Sequence, residues 1–192
     1  MSTIPLTTSQ TVGPFFSPAL LREDARRHVL TRPETVGERI RIEGHVLDGD
    51  GAPVPDALVE IWQANAYGRY HHAADVGPAK LDPSFQGFGR SGTDEDGSYW
   101  FETVKPGPVL FNGHQQAPHI CVTLFARGLL NHLMTRLYFE DEPANVGDPV
   151  LLCVPEERRA TLLARREQNG AATIYHFDII MQGTNETAFF NL

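Results

Sequence analysis

Hydrophobic and polar residues alternate over several short stretches of this chain, and a period of two residues predicts β-strands. In the first stretch the apolar Ile40 and Ile42 alternate with the charged Arg39 and Arg41. Other stretches are rich in β-branched and aromatic residues, which favour strands. Turn-forming residues separate the stretches, so the pattern predicts about seven strands. Five predicted strands are residues 39–47, 57–65, 118–127, 130–139 and 173–183, and a predicted hairpin over residues 89–103 supplies two more.

Two segments predict helices, and one predicts a tight turn. Residues 155–170 begin with proline and two glutamates and end with Asn-Gly, which favours a helix over this range. Residues 19–30 predict a second, short helix. The turn is Asp94-Glu95-Asp96-Gly97, which predicts a β-hairpin with Gly97 at a positive φ.

Many short strands and few helices predict a mainly β fold, an antiparallel β-sandwich. A chain of 192 residues is long enough for one domain with a full core. We assign residues 39–192 to this domain and residues 1–38 to an N-terminal arm with a short helix. Phe15 and Phe16 on the arm need a dry surface, either on this domain or on a second chain.

The charge and composition narrow the range of partners and compartments. A formal net charge of −8 argues against nucleic acid and against an anionic membrane surface. No apolar run approaches the roughly 20 residues that span a bilayer, and the first residues lack the pattern of a signal peptide. Two cysteines are too few for a disulfide framework. We therefore expect a cytoplasmic protein.

His119 and Cys121 are the strongest candidates for metal ligands from spacing alone. They stand two residues apart on a predicted strand, so both side chains point to the same face. Together with His114 and a further donor they suit Zn²⁺ or copper, although the spacing is not that of a structural zinc site. The alternative, which we favour, is that His119 is hydrogen-bonded inside the fold.

Several long motifs resemble the intradiol ring-cleavage dioxygenases, and the resemblance covers nearly all of residues 40–183. The most specific are WQAN-x-x-GRY, TD-x-DG-x-Y-x-F-x-T-x-K-PG-P and APHICVTLFARG. The resemblance implies a β-sandwich of immunoglobulin or transthyretin type. It also implies a non-haem Fe(III) enzyme of aromatic catabolism that is built of two homologous chains. Such an enzyme inserts both atoms of O₂ between the hydroxyl-bearing carbons of 3,4-dihydroxybenzoate and gives 3-carboxy-cis,cis-muconate.

The resemblance also implies where the iron ligands, two tyrosinates and two histidines, should stand. The tyrosine after the KPGP turn is Val109 here, and the tyrosine before the LDP motif falls at Gly77. The second histidine is Cys121, so His119 alone is kept. Ferric iron prefers anionic oxygen donors, which Val109 and Gly77 do not supply. We expect no metal on this chain and Fe(III) on a homologous β subunit.

The resemblance therefore implies an iron-free α subunit that completes the substrate cleft of an iron-bearing β subunit in a higher (αβ)n oligomer. Thr11, Gly13 and Pro14 match a segment that lines the partner's active site, and Arg127 matches an arginine near the carboxylate of the aromatic substrate. Arg136, where catalytic chains have glutamine, is a weaker candidate for binding a carboxylate at the interface. Two alternatives stay open: Arg127 pairs within its own chain, or the chain is a binding or scaffold module without the chemistry.

Overall fold

The computed structural model describes residues 10–13, 16–23, 25–170 and 172–191, and within them the protein is mainly β. None of the helices among these residues has the length and apolar content of a membrane-spanning segment. The strands are β1 (Arg39–Leu47), β2 (Leu58–Gln63), β3 (Phe88–Gly92), β4 (Ser98–Val104), β5 (Val109–Phe111), β6 (His114–Gln116), β7 (His119–Phe125), β8 (Leu133–Phe139), β9 (Leu163–Asn169), β10 (Ala172–His176) and β11 (Ile179–Ile180). The helical segments are α1 (Phe16–Leu20), α2 (Glu156–Arg159) and 3-10 turns at Pro143–Gly147, Leu151–Cys153 and Ala160–Leu162.

Nine strands form one nearly closed hydrogen-bonded sheet, in which eight strands lie on a continuous path and β4 branches from it. The order is β11-β1-β10-β9-β8-β7-β2-β3, and β4 pairs with β1. Strands β8 and β9 pair over only two residues, Tyr138 with Leu163 and Phe139 with Ala164. This short junction divides the path into one half with β3, β2, β7 and β8 and another with β4, β1, β10 and β9. Strands β5 and β6 form a separate two-stranded sheet.

One hydrophobic cluster takes side chains from both halves of this path. On β1, Ile40 and Ile42 are buried while Arg39 is exposed, as a period of two requires. Val122 and Leu124 on β7 enter the same cluster from the other half. Burying each such side chain contributes about 1.5–3 kcal/mol. The shared core therefore holds the loops at the strand ends, where the candidate site lies, in fixed positions.

The helix predicted for residues 155–170 is wrong over most of its length, although its start is helical. The α-helix ends after one turn at Arg159, a 3-10 turn follows, and β9 occupies Leu163–Asn169. Strand β9 pairs antiparallel with β10 along its length, which satisfies backbone groups that β10 would otherwise leave open. Residues such as Arg165 and Glu167 favour helices on their own, but tertiary pairing overrides that preference.

The short helix predicted for residues 19–30 is also wrong. Helix α1 covers only the beginning of this range, at Phe16–Leu20. Further on, Arg27 forms a bridge with β3 and Val29 forms a bridge with β4. The part of the arm around Arg27 and Val29 therefore runs along the open edges of β3 and β4 as extended chain.

The predicted turn at Gly97 is present, but the hairpin is wrong. Gly97 has φ +77°, and its N–H donates to the Asp94 carbonyl at 2.9 Å. Strand β3 pairs with β2, however, and β4 pairs with β1. The turn therefore carries the chain from one half of the path to the other, and local turn chemistry alone does not distinguish these two outcomes.

Candidate functional site

The described part of the N-terminal segment lies against the end of β7. The Gly128 N–H donates a hydrogen bond to Thr11 Oγ1 at 2.9 Å. Thr11, Gly13 and Arg127 line one cavity of about 450 Å³. The structure therefore brings together three of the four substrate-binding residues predicted from the sequence. The fourth, Pro14, lies outside the described residues.

The Arg127 side chain forms an exposed ion pair with Asp56. Arg127 Nη2 lies 3.1 Å from Asp56 Oδ2, and the two side chains are 68% and 56% exposed. Asp56 adopts φ +61° in the turn before β2, in the left-handed region that only glycine, asparagine and aspartate adopt readily. Such an exposed pair contributes about 0–1 kcal/mol. An incoming carboxylate can therefore replace Asp56 as the partner of Arg127 at small cost.

The four positions that the resemblance assigns to iron ligands carry no donor set suited to ferric iron. Gly77 lies in the loop between β2 and β3, where its carbonyl accepts from Arg69 Nη1 at 2.9 Å. Val109 begins β5 and is buried. Neither residue has a donor side chain, and His119 and Cys121 supply no anionic oxygen. In the parts of the chain that the structure describes, no group of three or more His, Cys, Asp or Glu side chains is placed to hold a metal ion.

His119 is a buried neutral imidazole with both ring nitrogens near polar atoms. The residue is only 1% exposed to solvent. Nδ1 lies 2.7 Å from the Ala117 carbonyl oxygen, which can only accept, so Nδ1 carries the proton. Nε2 is then the acceptor, 3.4 Å from the Tyr70 hydroxyl. Burial, together with the nearby Arg136 cation, lowers the pKa of His119 to about 4.

This lowered pKa predicts an acid-sensitive fold. The unfolded imidazole, with a pKa near 6.5, takes up a proton before the folded one, so stability is full above about pH 6.5 and declines as the pH falls toward 4. We expect His119 to account for a loss of about 2–3 kcal/mol between pH 7 and pH 4.5. Urea unfolding at both pH values measures the loss. His119→Gln should reduce the loss of stability between the two pH values, and the exposed His132→Gln should leave it unchanged. Equal losses in all three proteins would contradict the contribution of His119.

Arg136 stands at the centre of a polar cluster on β7 and β8. It is paired with Cys121 across the two strands. Its Nη1 lies 3.4 Å from Gln116 Oε1 and 3.4 Å from the Tyr138 hydroxyl. Tyr138 donates in turn to Asp148 Oδ1 at 3.0 Å. Asp148 is fully buried, and Tyr138 links its carboxylate to the Arg136 cation.

Tyr70 completes this cluster on the side of the long loop. Its ring stacks on Trp62, with ring centroids 5.7 Å apart. Burial raises the pKa of Tyr70 and also that of the Cys121 thiol, so both are neutral at pH 7. Tyr70, Tyr138 and Asp148 were not predicted as site residues from the sequence. The tyrosine that ends the WQAN-x-x-GRY motif was the available signal for Tyr70, whereas the other two depend on strand register.

Comparison with known proteins identifies the family. A family model described as Dioxygenase matches residues 11–183. The protocatechuate 3,4-dioxygenase α chain of Burkholderia cepacia is 43% identical, and the alignment covers 100% of both chains. The α chain of Pseudomonas putida is 43% identical over 98% of this chain and 97% of that one. The β chain of Burkholderia cepacia is 40% identical over 87% of this chain and 74% of that one.

Solved structures agree with this result. The dioxygenase domain of a dioxygenase and carbohydrate-binding protein fusion from Streptomyces sp. SirexAA-E has a TM-score of 0.63 and 28% identity, and the match covers 93% of this chain and 99% of that one. The 3-chlorocatechol 1,2-dioxygenase of Rhodococcus opacus 1CP shares the fold at a TM-score of 0.63 and 22% identity, covering 80% and 64%. The chain is a dioxygenase subunit and belongs to the iron-dependent intradiol ring-cleavage dioxygenase family, in which it matches protocatechuate 3,4-dioxygenase α chains over their full length.

Proposed function

We propose that this chain is the iron-free α subunit of a protocatechuate 3,4-dioxygenase and that a homologous β subunit holds the Fe(III). Full-length identity of 43% to α chains supports the assignment. The main observation behind the assignment is a contrast between the expected iron-ligand positions and the cavity beside Arg127. The positions of Gly77, Val109 and Cys121 offer no ferric donor set, while Thr11, Gly13 and Arg127 converge on one open cavity.

The proposed reaction cleaves 3,4-dihydroxybenzoate between its two hydroxyl-bearing carbons. Both atoms of O₂ enter the product, 3-carboxy-cis,cis-muconate, and the partner's iron supplies the oxygen chemistry. This chain contributes binding and orientation. Its net charge of −8 repels an anionic substrate, so a local cation is needed. The exposed guanidinium of Arg127 supplies that cation and pairs with the carboxylate of the substrate.

The N-terminal segment supplies the surface that meets the partner's cleft. Among the described residues, no heavy atom lies within 4 Å of the point where a Cβ on Gly13 would stand, which supports close approach of a second chain to the backbone there. The hydrogen bond from Gly128 to Thr11 ties this segment to the residue after Arg127. The segment and the guanidinium therefore approach the partner as one unit.

We also propose that the chain consists of an interface arm and a single domain. Residues 1–38 form the interface arm, and residues 39–192 form a single domain in which the two halves of the strand path pack face to face as a β-sandwich. The shared core cluster supports this packing. Several αβ pairs assemble into a higher oligomer in the cytoplasm.

Co-expression tests the proposed function. The partner is a β homologue that carries the KPGPY and R-P-x-H-I-H motifs. We expect the two chains to copurify and to consume O₂ with 3,4-dihydroxybenzoate, while this chain alone is inactive. Ring cleavage by this chain alone contradicts the α-subunit role. Failure to copurify with the β homologue contradicts it as well.

A further inference from the structure

The side chains around the expected iron-ligand positions surround the positively charged guanidinium of Arg136. Arg136 reaches in from β8, directly across from Cys121 in the strand register. Its guanidinium contacts Gln116 and Tyr138, each at 3.4 Å. A guanidinium does not lose its proton in a protein, so this positive charge is permanent.

The same cluster contains three side chains with metal-donor atoms of different types: Tyr70 Oη, His119 Nε2 and Cys121 Sγ. The Tyr70 hydroxyl lies 3.4 Å from His119 Nε2, and the Cys121 thiol is a neighbour of the same hydroxyl. Two ligands of one tetrahedral Zn²⁺, each at about 2.0–2.1 Å, lie about 3.4 Å apart. The spacing between these oxygen and nitrogen atoms therefore suits a shared divalent ion.

The orientation of the imidazole supports the same conclusion. His119 donates through Nδ1 to the Ala117 carbonyl at 2.7 Å, which directs the Nε2 lone pair toward Tyr70. In metal proteins a hydrogen bond of this kind fixes the tautomer and the direction of a histidine ligand. The hydrogen bond at Nδ1 therefore orients His119 as a metal ligand would be oriented.

We propose that Tyr70, His119 and Cys121 form a latent site for a divalent ion such as Zn²⁺ or Co²⁺, and that the guanidinium of Arg136 keeps this site closed. The permanent charge of Arg136 takes the place of a metal charge and repels an entering cation. Asp148, linked through Tyr138, balances that charge. Removing the guanidinium leaves Asp148 uncompensated, and the pocket then favours a cation. This inference concerns the chain itself and does not depend on the proposed α-subunit role.

Cobalt titration of the full-length chain tests the proposal, because a Co²⁺–thiolate bond gives a charge-transfer absorbance. We expect no such band in the unaltered chain and a band of one Co²⁺ per chain in Arg136→Gln, with affinity raised at least about 100-fold. Arg136→Lys keeps a cation and should behave like the unaltered chain. Circular dichroism confirms folding, and Arg136→Met, which is neutral and similar in length, replaces the glutamine variant if that variant does not fold.

Two cysteine variants identify the site within the Arg136→Gln background. Cys121→Ser should abolish the band, while the exposed Cys153→Ser should leave it unchanged. Equal binding, or equal lack of binding, with and without the guanidinium would overturn the proposal. So would a band in Arg136→Lys as strong as that in Arg136→Gln, or one that persists after the loss of Cys121.

Discussion

Replacing Arg127 with leucine is expected to lower kcat/KM for 3,4-dihydroxybenzoate by about 10- to 100-fold in the assembled complex, because a hydrogen-bonded charge pair contributes about 1.5–3 kcal/mol. Most of the change should be in KM, since the carboxylate is bound in the ground state and the transition state alike. Steady-state O₂ consumption over a range of substrate concentrations measures both constants.

The substrate itself provides the first control for this prediction. Catechol has no carboxylate, so its kcat/KM should change much less in Arg127→Leu. The exposed Arg165, on β9 in the other half of the strand path, provides the second, and Arg165→Leu should leave both substrates unaffected. An equal loss with both substrates, or no loss with either, would remove Arg127 from the substrate site.

Gly44→Ala is expected to destabilise the chain by about 3 kcal/mol, the largest effect on stability that we predict for one methyl group. A Cβ on Gly44 would stand 2.0 Å from the Phe177 carbonyl oxygen, which is backbone and has no room to move aside. The neighbouring contacts fix this approach: Phe177 N–H donates to the Glu43 carbonyl at 2.9 Å, and His45 N–H donates to Asp178 Oδ1 at 2.8 Å. Glycine at position 44 therefore permits β1 to pass the link between β10 and β11.

Urea unfolding of the purified chain measures this effect. Gly147→Ala is the matched control, because no heavy atom of the described residues lies within 4 Å of its added Cβ and its φ is not positive. The control should change stability by no more than about 0.5 kcal/mol. A loss in Gly44→Ala as small as that in the control would show that the backbone accommodates a side chain at this position.

The fold was predictable where a local pattern and a tertiary contact favour the same structure. On β1, alternation of Ile40 and Ile42 with charged residues correctly predicted a strand with one buried face. Residues 155–170 show the opposite case, since their helix-favouring residues lie in a strand that pairs with β10. The turn at Gly97 was correctly predicted, but the partners of the strands on either side depend on the whole path. Pairing over long sequence distances is not encoded in a short window.

The candidate site shows the same contrast between features visible in the sequence and features that depend on the fold. The sequence shows that Val109 and Gly77 carry no donor side chain, whereas their correspondence to iron ligands is implied by the resemblance alone. The ion pair between Arg127 and Asp56 required the fold, because these residues are 71 positions apart. The register of β7 and β8, which sets Arg136 opposite Cys121, likewise appears only when the strands are paired.

Iron analysis of the assembled complex tests most directly whether this chain is the iron-free subunit. We expect one iron per pair of chains, all of it retained by the β subunit after the two are separated. Two irons per pair, or iron that stays with this chain after separation, would contradict it.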